Sequence, residues 1–196
     1  MTVTTSEVPP GGFDPGEVAA RPVLGFLVGR GMIARTVEVA GGTCVELLSA
    51  GDLLQPSASE QPSFARMWWT ALDSVELIVI DREAASRICS EPEVLAELVS
   101  RGTRRAHNLT VSAAIESVVG VENRVLLALW QLAENYGEVS PEGVHLSLRL
   151  THEMLSSLIG SRRPSVTSAL TALGDRDLVT RLPDRSWLLK GSPPEP

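Results

Sequence analysis

The spacing of apolar residues changes character along the chain, and each change marks a new element. From Val23 to Ile80 the pattern alternates, as strands do. Leu24, Phe26 and Val28 alternate before Gly29, and Met32, Ala34, Val37 and Val39 continue to Gly41-Gly42. Cys44 to Leu48 and Val75 to Ile80 are further short strands, so residues 23–90 predict a small antiparallel β-roll, cupin-like in form. Residues 1–22 lack such a pattern and carry Pro9-Pro10-Gly11-Gly12 and Asp14-Pro15-Gly16. They predict a flexible leader or irregular arm.

After Ile80 the period lengthens to that of helices. Glu91-Pro92-Glu93 is a helix start, with proline in the first turn and acids at the positive dipole end. Leu95, Gly102 and Leu109 recur every seven residues, while Leu98 or Val99, Ala106 and Ala113 fill a second position. This predicts a long helix over residues 91–120 with a narrow apolar seam and small residues that permit close approach. Such a seam suits a second copy of the chain, and an ordinary core helix is the alternative. A further helix follows from Val121 to Tyr136, closed by Gly137. Val139 to Gly143 predicts a turn, and Val144 to Leu150 a short strand.

The stretch from Leu150 to Gly191 is the most informative. Thr151 can cap a two-turn helix from His152 to Ile159, and Gly160 permits a tight turn. Ser161 can cap the next helix, whose buried stripe is Val166, Leu170 and Leu173. Asp177 to Leu182 and Ser186 to Leu189 then form two strands around Pro183-Asp184-Arg185. Helix, turn, helix and hairpin is the winged helix-turn-helix layout, whose second helix enters the major groove. Residues 121–191 are therefore expected to form this domain, with 192–196 as a tail. The start of its second helix presents Arg162, Arg163, Ser165, Thr167 and, less centrally, Ser168. Arginine matches the guanine O6/N7 edge as a fork, and hydroxyls suit phosphates or mixed base contacts. Arg181 and Arg185 on the hairpin would lie near the phosphate backbone. A winged helix used for protein contacts is the alternative.

Charge first argues against nucleic acid and then changes sides. The 196 residues hold 17 basic and 24 acidic side chains, a net charge of −7. Residues 1–143 carry ten arginines and nineteen acids, net −9, whereas residues 144–191 carry six arginines and Lys190 against four acids, net +3. The basic excess belongs to the expected reading head. No apolar run approaches the roughly 20 residues of a membrane span, and residues 1–6 lack a secretory signal's basic and apolar regions. Cys44 and Cys89 stand far apart without CxxC spacing, so they are expected as buried small hydrophobes in a cytoplasmic protein. A redox role for them has no support.

The order of roll, long helix, second helix and winged helix resembles the cyclic-AMP receptor and fumarate–nitrate regulator superfamily of bacterial transcription factors. The resemblance rests on LTHEMLSSLIGSRRPSVTSALTALGDRDLV for the head, and on VELLSAGDLL with SVELIVIDREAASRI for the roll. It implies an α+β chain with a cyclic-nucleotide-binding-like roll, a dimerisation helix and a DNA-reading head. The operator would be read by Arg162, Arg163, Ser165 and Thr167, with Thr151 as a phosphate contact. The partners it implies are a palindromic operator in double-stranded DNA, a second copy of the chain, and RNA polymerase.

Departures from that family matter as much. Gly51-Asp52 is present, but Gln55-Pro56 stand where cyclic-nucleotide binders carry Gly-Glu. The phosphate-arginine position falls on Ala65, with Arg66 one residue out of register. Cyclic-nucleotide dependence is therefore not expected, and the small-molecule effector is unknown. Met67-Trp68-Trp69 is expected as core more than as the wall of a pocket. Little strand-forming sequence precedes Val23, so the roll is expected to be open or partly rebuilt by the leader. Two cysteines alone hold no iron–sulfur cluster, and His107, His145 and the methionines offer no paired haem ligands. No cofactor or metal is expected. An enzyme is not expected either, because the three histidines are scattered and no phosphate-cradling glycine loop occurs. The main alternative to a DNA-binding regulator is a protein-interaction module built on the acidic body and the eroded sensor.

Overall fold

Alternating residues after Val23 do build antiparallel strands, and the computed structural model shows that more of the chain joins them than alternation alone announces. The structure describes residues 4–18, 22–55 and 62–194. These form two compact units that divide between Leu109 and Thr110.

In the first unit the strands are β1 (Thr5–Val8), β2 (Gly11–Phe13), β3 (Gly25–Arg30), β4 (Ile33–Val39), β5 (Gly42–Leu48), β6 (Leu53–Leu54), β7 (Ala65–Ala71) and β8 (Val75–Ile80). They make two four-stranded sheets, ordered β1-β8-β3-β6 and β2-β7-β4-β5. Inward residues of both sheets, among them Phe26, Val28, Ile33, Leu48, Leu54, Trp69 and Leu77, form one apolar core. The β3–β4 turn depends on Gly31 at φ +87, where a Cβ would stand 2.6 Å from the Ser74 carbonyl oxygen. There the Asp73 carboxylate accepts from the Met32 N–H at 2.7 Å.

The expected flexible leader is corrected within its described residues. β1 pairs with β8 and β2 with β7, and α1 (Pro15–Val18) follows them. The partly rebuilt roll is the version observed. Strands of three and four residues among Gly and Pro leave no alternation to detect, and their pairing is supplied by the free edges of β8 and β7. Val8, at 4% exposure, anchors the arm in the core.

Three helices complete the chain as far as the reading head: α2 (Arg82–Ser90), α3 (Pro92–Ser117) and α4 (Val121–Tyr136). α2, which lies inside the stretch expected as roll, is capped by Asp81, whose carboxylate accepts from the Ala84 N–H at 2.9 Å. The second unit continues with β9 (Gly137–Ser140), β10 (Gly143–Leu146), α5 (His152–Leu158), α6 (Arg163–Asp175), β11 (Val179–Arg181) and β12 (Trp187–Leu189). Its sheet runs β11-β12-β10-β9.

Three local expectations for this unit change. The turn expected over Val139–Gly143 begins as strand β9, which pairs with β10 from Gly137. The seven-residue strand from Val144 stops at Leu146. Gly137 does end α4, but in extended conformation at φ −85; a Cβ there would stand 2.4 Å from the Ala133 carbonyl oxygen, so close approach selects the glycine. In the first unit Cys44 is exposed on the edge strand β5, and Cys89 is exposed near the end of α2. The expected burial of both cysteines is thus overturned by their outward faces.

Removing two methyl groups from Val8 tests whether the arm is part of the core. At about 0.8 kcal/mol per buried carbon plus a cavity cost, Val8→Ala should lose roughly 1.5–3 kcal/mol in a denaturant melt. A loss under about 0.5 kcal/mol, as expected of a loose arm, would contradict the pairing.

Candidate nucleic-acid interface

The reading head is built by one packed core. Val125, Ala128, Leu129 and Ala133 of α4 are buried together with Leu155 of α5 and Val166, Ala169 and Leu173 of α6. Ile159, Leu146, Leu150, Trp187 and Leu189 are also almost fully buried. Leu170, expected in the α6 stripe, is only half-buried, and Ala169 takes its place. Because the stripe repeats at helical spacing, the rest of α6 must face outward.

The turn between α5 and α6 is fixed from several sides. Thr151 caps α5, its hydroxyl accepting from the Met154 N–H at 3.1 Å. Gly160 takes φ +57, and the Ser161 N–H donates to the Ser156 carbonyl at 2.9 Å. Ser161 is not the cap of α6: Arg162 occupies that position without a side-chain cap bond, and Pro164 falls in the first turn. Arg124 of α4 adds a clamp, donating from Nη1 to the Ile159 carbonyl at 3.1 Å and to Glu116 O at 3.3 Å. Its partners lie 35 and 8 residues away, and only the longer link ties the turn to α4.

On this frame Arg162, Arg163, Ser165, Thr167 and Ser168 are all exposed, as are Thr151, Arg181 and Arg185. Two hydroxyls are already engaged as donors. Thr167 Oγ1 donates to the Arg163 carbonyl at 3.1 Å, and Ser168 Oγ to the Pro164 carbonyl at 3.2 Å. Both oxygens keep acceptor capacity toward a ligand. Two other cations of the head are paired with acids: Arg176 with Glu122 at 3.0 Å and Lys190 with Asp177 at 2.8 Å. The positive field is thereby concentrated around the start of α6 and the hairpin.

His152, which the sequence pattern did not single out, belongs to the same surface. Its Nδ1 lies 2.9 Å from Thr167 Oγ1. The Thr167 hydroxyl proton goes to Arg163, so the hydrogen-bond network assigns Nδ1–H of His152 as the donor to Thr167. Burial, then the cations Arg181 and Arg163, push the His152 pKa below its ordinary value. Both effects favour the neutral imidazole.

The hairpin is pinned by a second histidine. Ser186 Oγ donates to Asp184 Oδ1 at 2.6 Å, and His145 Nε2 lies 2.9 Å from the same hydroxyl. The Ser147 hydroxyl lies 3.2 Å from His145 Nδ1. The Ser186 side chain, then its backbone N–H, hold the Asp184 carboxyl below the usual carboxylate range. Serine, histidine and aspartate thus meet although the sequence shows no such order, but the bonds run the wrong way for a nucleophile. Aspartate accepts from the serine rather than orienting the imidazole, and Ser186 is only 3% exposed. The network holds the turn that displays Arg185, a non-glycine residue at φ +72. Arg181 stacks over Trp187, 5.3 Å from its ring centroid, which places it on the hairpin face rather than projecting freely.

The seam residues of α3 are all exposed: Leu95, Val99, Gly102, Ala106, Leu109 and Ala113. Val99 reaches 61% exposure, and Ile115 is the single buried residue of the 26-residue helix. Leu98 faces the other way, into a cavity of the first unit, and Val99 is the exposed one of the two. That cavity is also lined by Met67 and Trp69; Trp69 is buried in the roll's core and Met67 packs against it, as expected, whereas Trp68 is exposed. At the positions where cyclic-nucleotide binders carry their carboxylate and arginine, Gln55 is exposed, Pro56 lies outside the described residues, and Ala65 lines the cavity. Arg66 is exposed and sits opposite Glu38 in the β4–β7 register. Among the described residues no group of three His, Cys, Asp or Glu side chains is placed to hold a metal. No helix of theirs is long and apolar enough to cross a membrane.

Comparison with known proteins agrees with this architecture. Residues 123–190 match the Crp-like helix-turn-helix domain family. A Mycobacterium tuberculosis protein named CRP-like cAMP-activated global transcriptional regulator is 30% identical over 127 residues. That match spans 63% of this chain and 55% of the relative. A solved CooA mutant from Carboxydothermus hydrogenoformans superposes with TM-score 0.75 at 19% identity, covering 96% of this chain and 84% of that one. A cyclic nucleotide-binding domain containing protein from Listeria monocytogenes gives TM-score 0.74 at 16% identity, covering 96% and 89%. At such identities the two structures establish a shared fold.

The charge arrangement around α6 can be tested on the imidazole it surrounds. In an NMR pH titration His152 should titrate below the ordinary 6.5, and Arg181→Ala should move its midpoint upward. A midpoint at or above the ordinary value would contradict the placement of His152 beside both arginines.

Proposed function

We infer function from membership: the chain belongs to the Crp/Fnr family of transcription regulators, and we propose that it acts as a homodimeric, sequence-specific DNA-binding protein. The observation that carries this reading is α6. Its packed face of Val166, Ala169 and Leu173 leaves Arg162, Arg163, Ser165, Thr167 and Ser168 on one outward surface. The geometry suits insertion of the N-terminal turn of α6 into the major groove, with arginine forks toward guanine edges. Thr151, Arg181 and Arg185 flank that surface and would meet phosphates. The net charge of −9 on residues 1–143 keeps DNA away from other faces of the chain.

Homodimerisation is supported by the α3 seam. A helix with one buried residue in 26 and exposed Leu95, Val99 and Leu109 at heptad spacing needs an apolar partner, and its twofold mate supplies one. Two heads so joined would occupy the half-sites of a palindrome. RNA polymerase is the further partner that a regulator of transcription addresses, and the cytoplasm is where both meet. The cyclic-AMP activation named for the mycobacterial relative does not carry over, because Pro56 stands at the ribose-carboxylate position and Ala65 at the phosphate-arginine position, with Arg66 one residue out of register.

Gel-shift titrations on a selected operator test the reading. Arg162→Ala and Arg163→Ala should each cost about 1–3 kcal/mol and relax sequence preference. Wild-type affinity should fall steeply with salt, as phosphate contacts require. A flat salt dependence, or full specific binding by the double variant, would favour a protein-interaction module. For the seam, Val99→Glu with Leu109→Glu should convert dimers to monomers in sedimentation without lowering the melting temperature of the monomer's core. Monomeric wild-type protein at micromolar concentration would contradict the dimer.

A further inference from the structure

His152 stands where the candidate interface is short of a donor. It is the first residue of α5, directly after the cap Thr151. In a helix-turn-helix the first helix is the one that crosses the sugar–phosphate backbone. The residue is half-buried, with its ring against Thr167 of α6, while Thr151 and Arg163 beside it are exposed.

The hydrogen bonds decide what the ring can offer. Thr167 Oγ1 gives its proton to the Arg163 carbonyl at 3.1 Å, so the 2.9 Å contact with His152 Nδ1 is made by Nδ1–H. In a neutral imidazole the other nitrogen then carries only a lone pair. Nε2 is an acceptor and so is a phosphate oxygen, and the neutral ring therefore has no bond to give the backbone. Protonation turns Nε2 into a donor and leaves the Thr167 bond intact, because Nδ1–H is present in both forms.

The charges that act on the ring change when DNA arrives. Arg181 of β11 and Arg163 of α6 are the charged groups that face it, both of them cations. After burial, they are what favours the neutral form in the free chain. Glu153, next to it on α5, is exposed. A phosphate set among these side chains offsets the field of the two arginines and adds an opposite charge at hydrogen-bond distance. Both changes favour the imidazolium. The ring's midpoint then lies higher on DNA than in the free chain, and by linkage the affinity for DNA rises as the pH falls through that interval.

We propose that binding of double-stranded DNA takes up one proton at His152 of each head, and that the imidazolium bridges Thr167 Oγ1 through Nδ1–H and a backbone phosphate oxygen through Nε2–H. The proton passes from solvent to Nε2, and no other bond within the ring is made or broken. The proposal rests on the reading of α5 and α6 as a DNA-binding head and adds to it that the contact is proton-linked.

Operator affinity at constant ionic strength, measured for the wild-type chain and for His152→Asn, tests it. Asparagine keeps an N–H for Thr167 but takes up no proton. Wild-type affinity should rise about fivefold or more from about pH 7.5 to about pH 5.5, and that of the variant by less than about twofold. On the wild-type chain alone, the NMR titration midpoint of the His152 ring should move upward by about one pH unit when operator DNA is added. An unchanged or lower midpoint on DNA overturns the proposal. Equal pH dependence in wild type and variant overturns it too, since the titrating group then lies elsewhere, as at His107 or His145. So does a pH-independent affinity with an altered base preference in the variant, the mark of a neutral ring accepting from a base amine. Those results leave the DNA-binding reading standing, whereas absence of operator binding at every pH overturns both. The midpoint decides the matter even where the variant fails to fold.

Discussion

A helix that commits one face to a core must present the other, and both candidate surfaces of this chain follow from that constraint. In α6 the committed face is Val166, Ala169 and Leu173, closed over by α4. Its complement is the row from Arg162 to Ser168. In the first-unit part of α3 the committed face is thin: Leu98 looks into the cavity, Arg101 donates to the Ala50 carbonyl at 3.2 Å, and Arg105 reaches Glu46. The complement there is apolar, and it is exposed among the described residues. One helix thus displays charge against a finished core, and the other displays hydrophobic surface.

Electrostatics sharpens the first of these surfaces. Arg176 and Lys190 are paired with acids, while Arg162 and Arg163 stand at the start of a helix whose N-terminal dipole end adds to their field. Burial, then the Arg181 and Arg163 cations, favour the neutral form of His152, whose Nδ1 lies 2.9 Å from Thr167 Oγ1. The hairpin is held by a chain of hydrogen bonds from Ser147 through His145 and Ser186 to Asp184. Such a chain fixes a turn more firmly than any one of its links, since each bond polarises the next. The left-handed Arg185 is the residue whose direction it sets.

What was legible in the sequence was what repeats at short range. α4 begins at Val121 and ends at Tyr136 as its apolar period implies, and α6 begins within a residue or so of the expected start. The heptad spacing of α3 marked residues that are in fact exposed, although it could not choose between Leu98 and Val99, of which Leu98 lines the cavity of the roll. What was not legible depends on contacts between distant residues. β1 and β2 exist because β8 and β7 offer edges some sixty to seventy residues away. His152 meets Thr167 across fifteen residues, Ser186 meets His145 across forty-one, and Arg105 meets Glu46 across fifty-nine. The cysteines were misjudged for a related reason, because burial depends on where a residue sits in the fold, an edge strand for Cys44 and an exposed position near the end of α2 for Cys89, rather than on its own hydrophobicity.

The central claim is that a twofold pair of α6 helices reads DNA, and selection from a random double-stranded pool with the purified full chain tests it most directly. The account predicts enrichment of an inverted repeat whose half-sites are centred about one helical turn apart, roughly 10 base pairs. Failure to enrich any sequence, or enrichment of a lone half-site without its inverted mate, would contradict it.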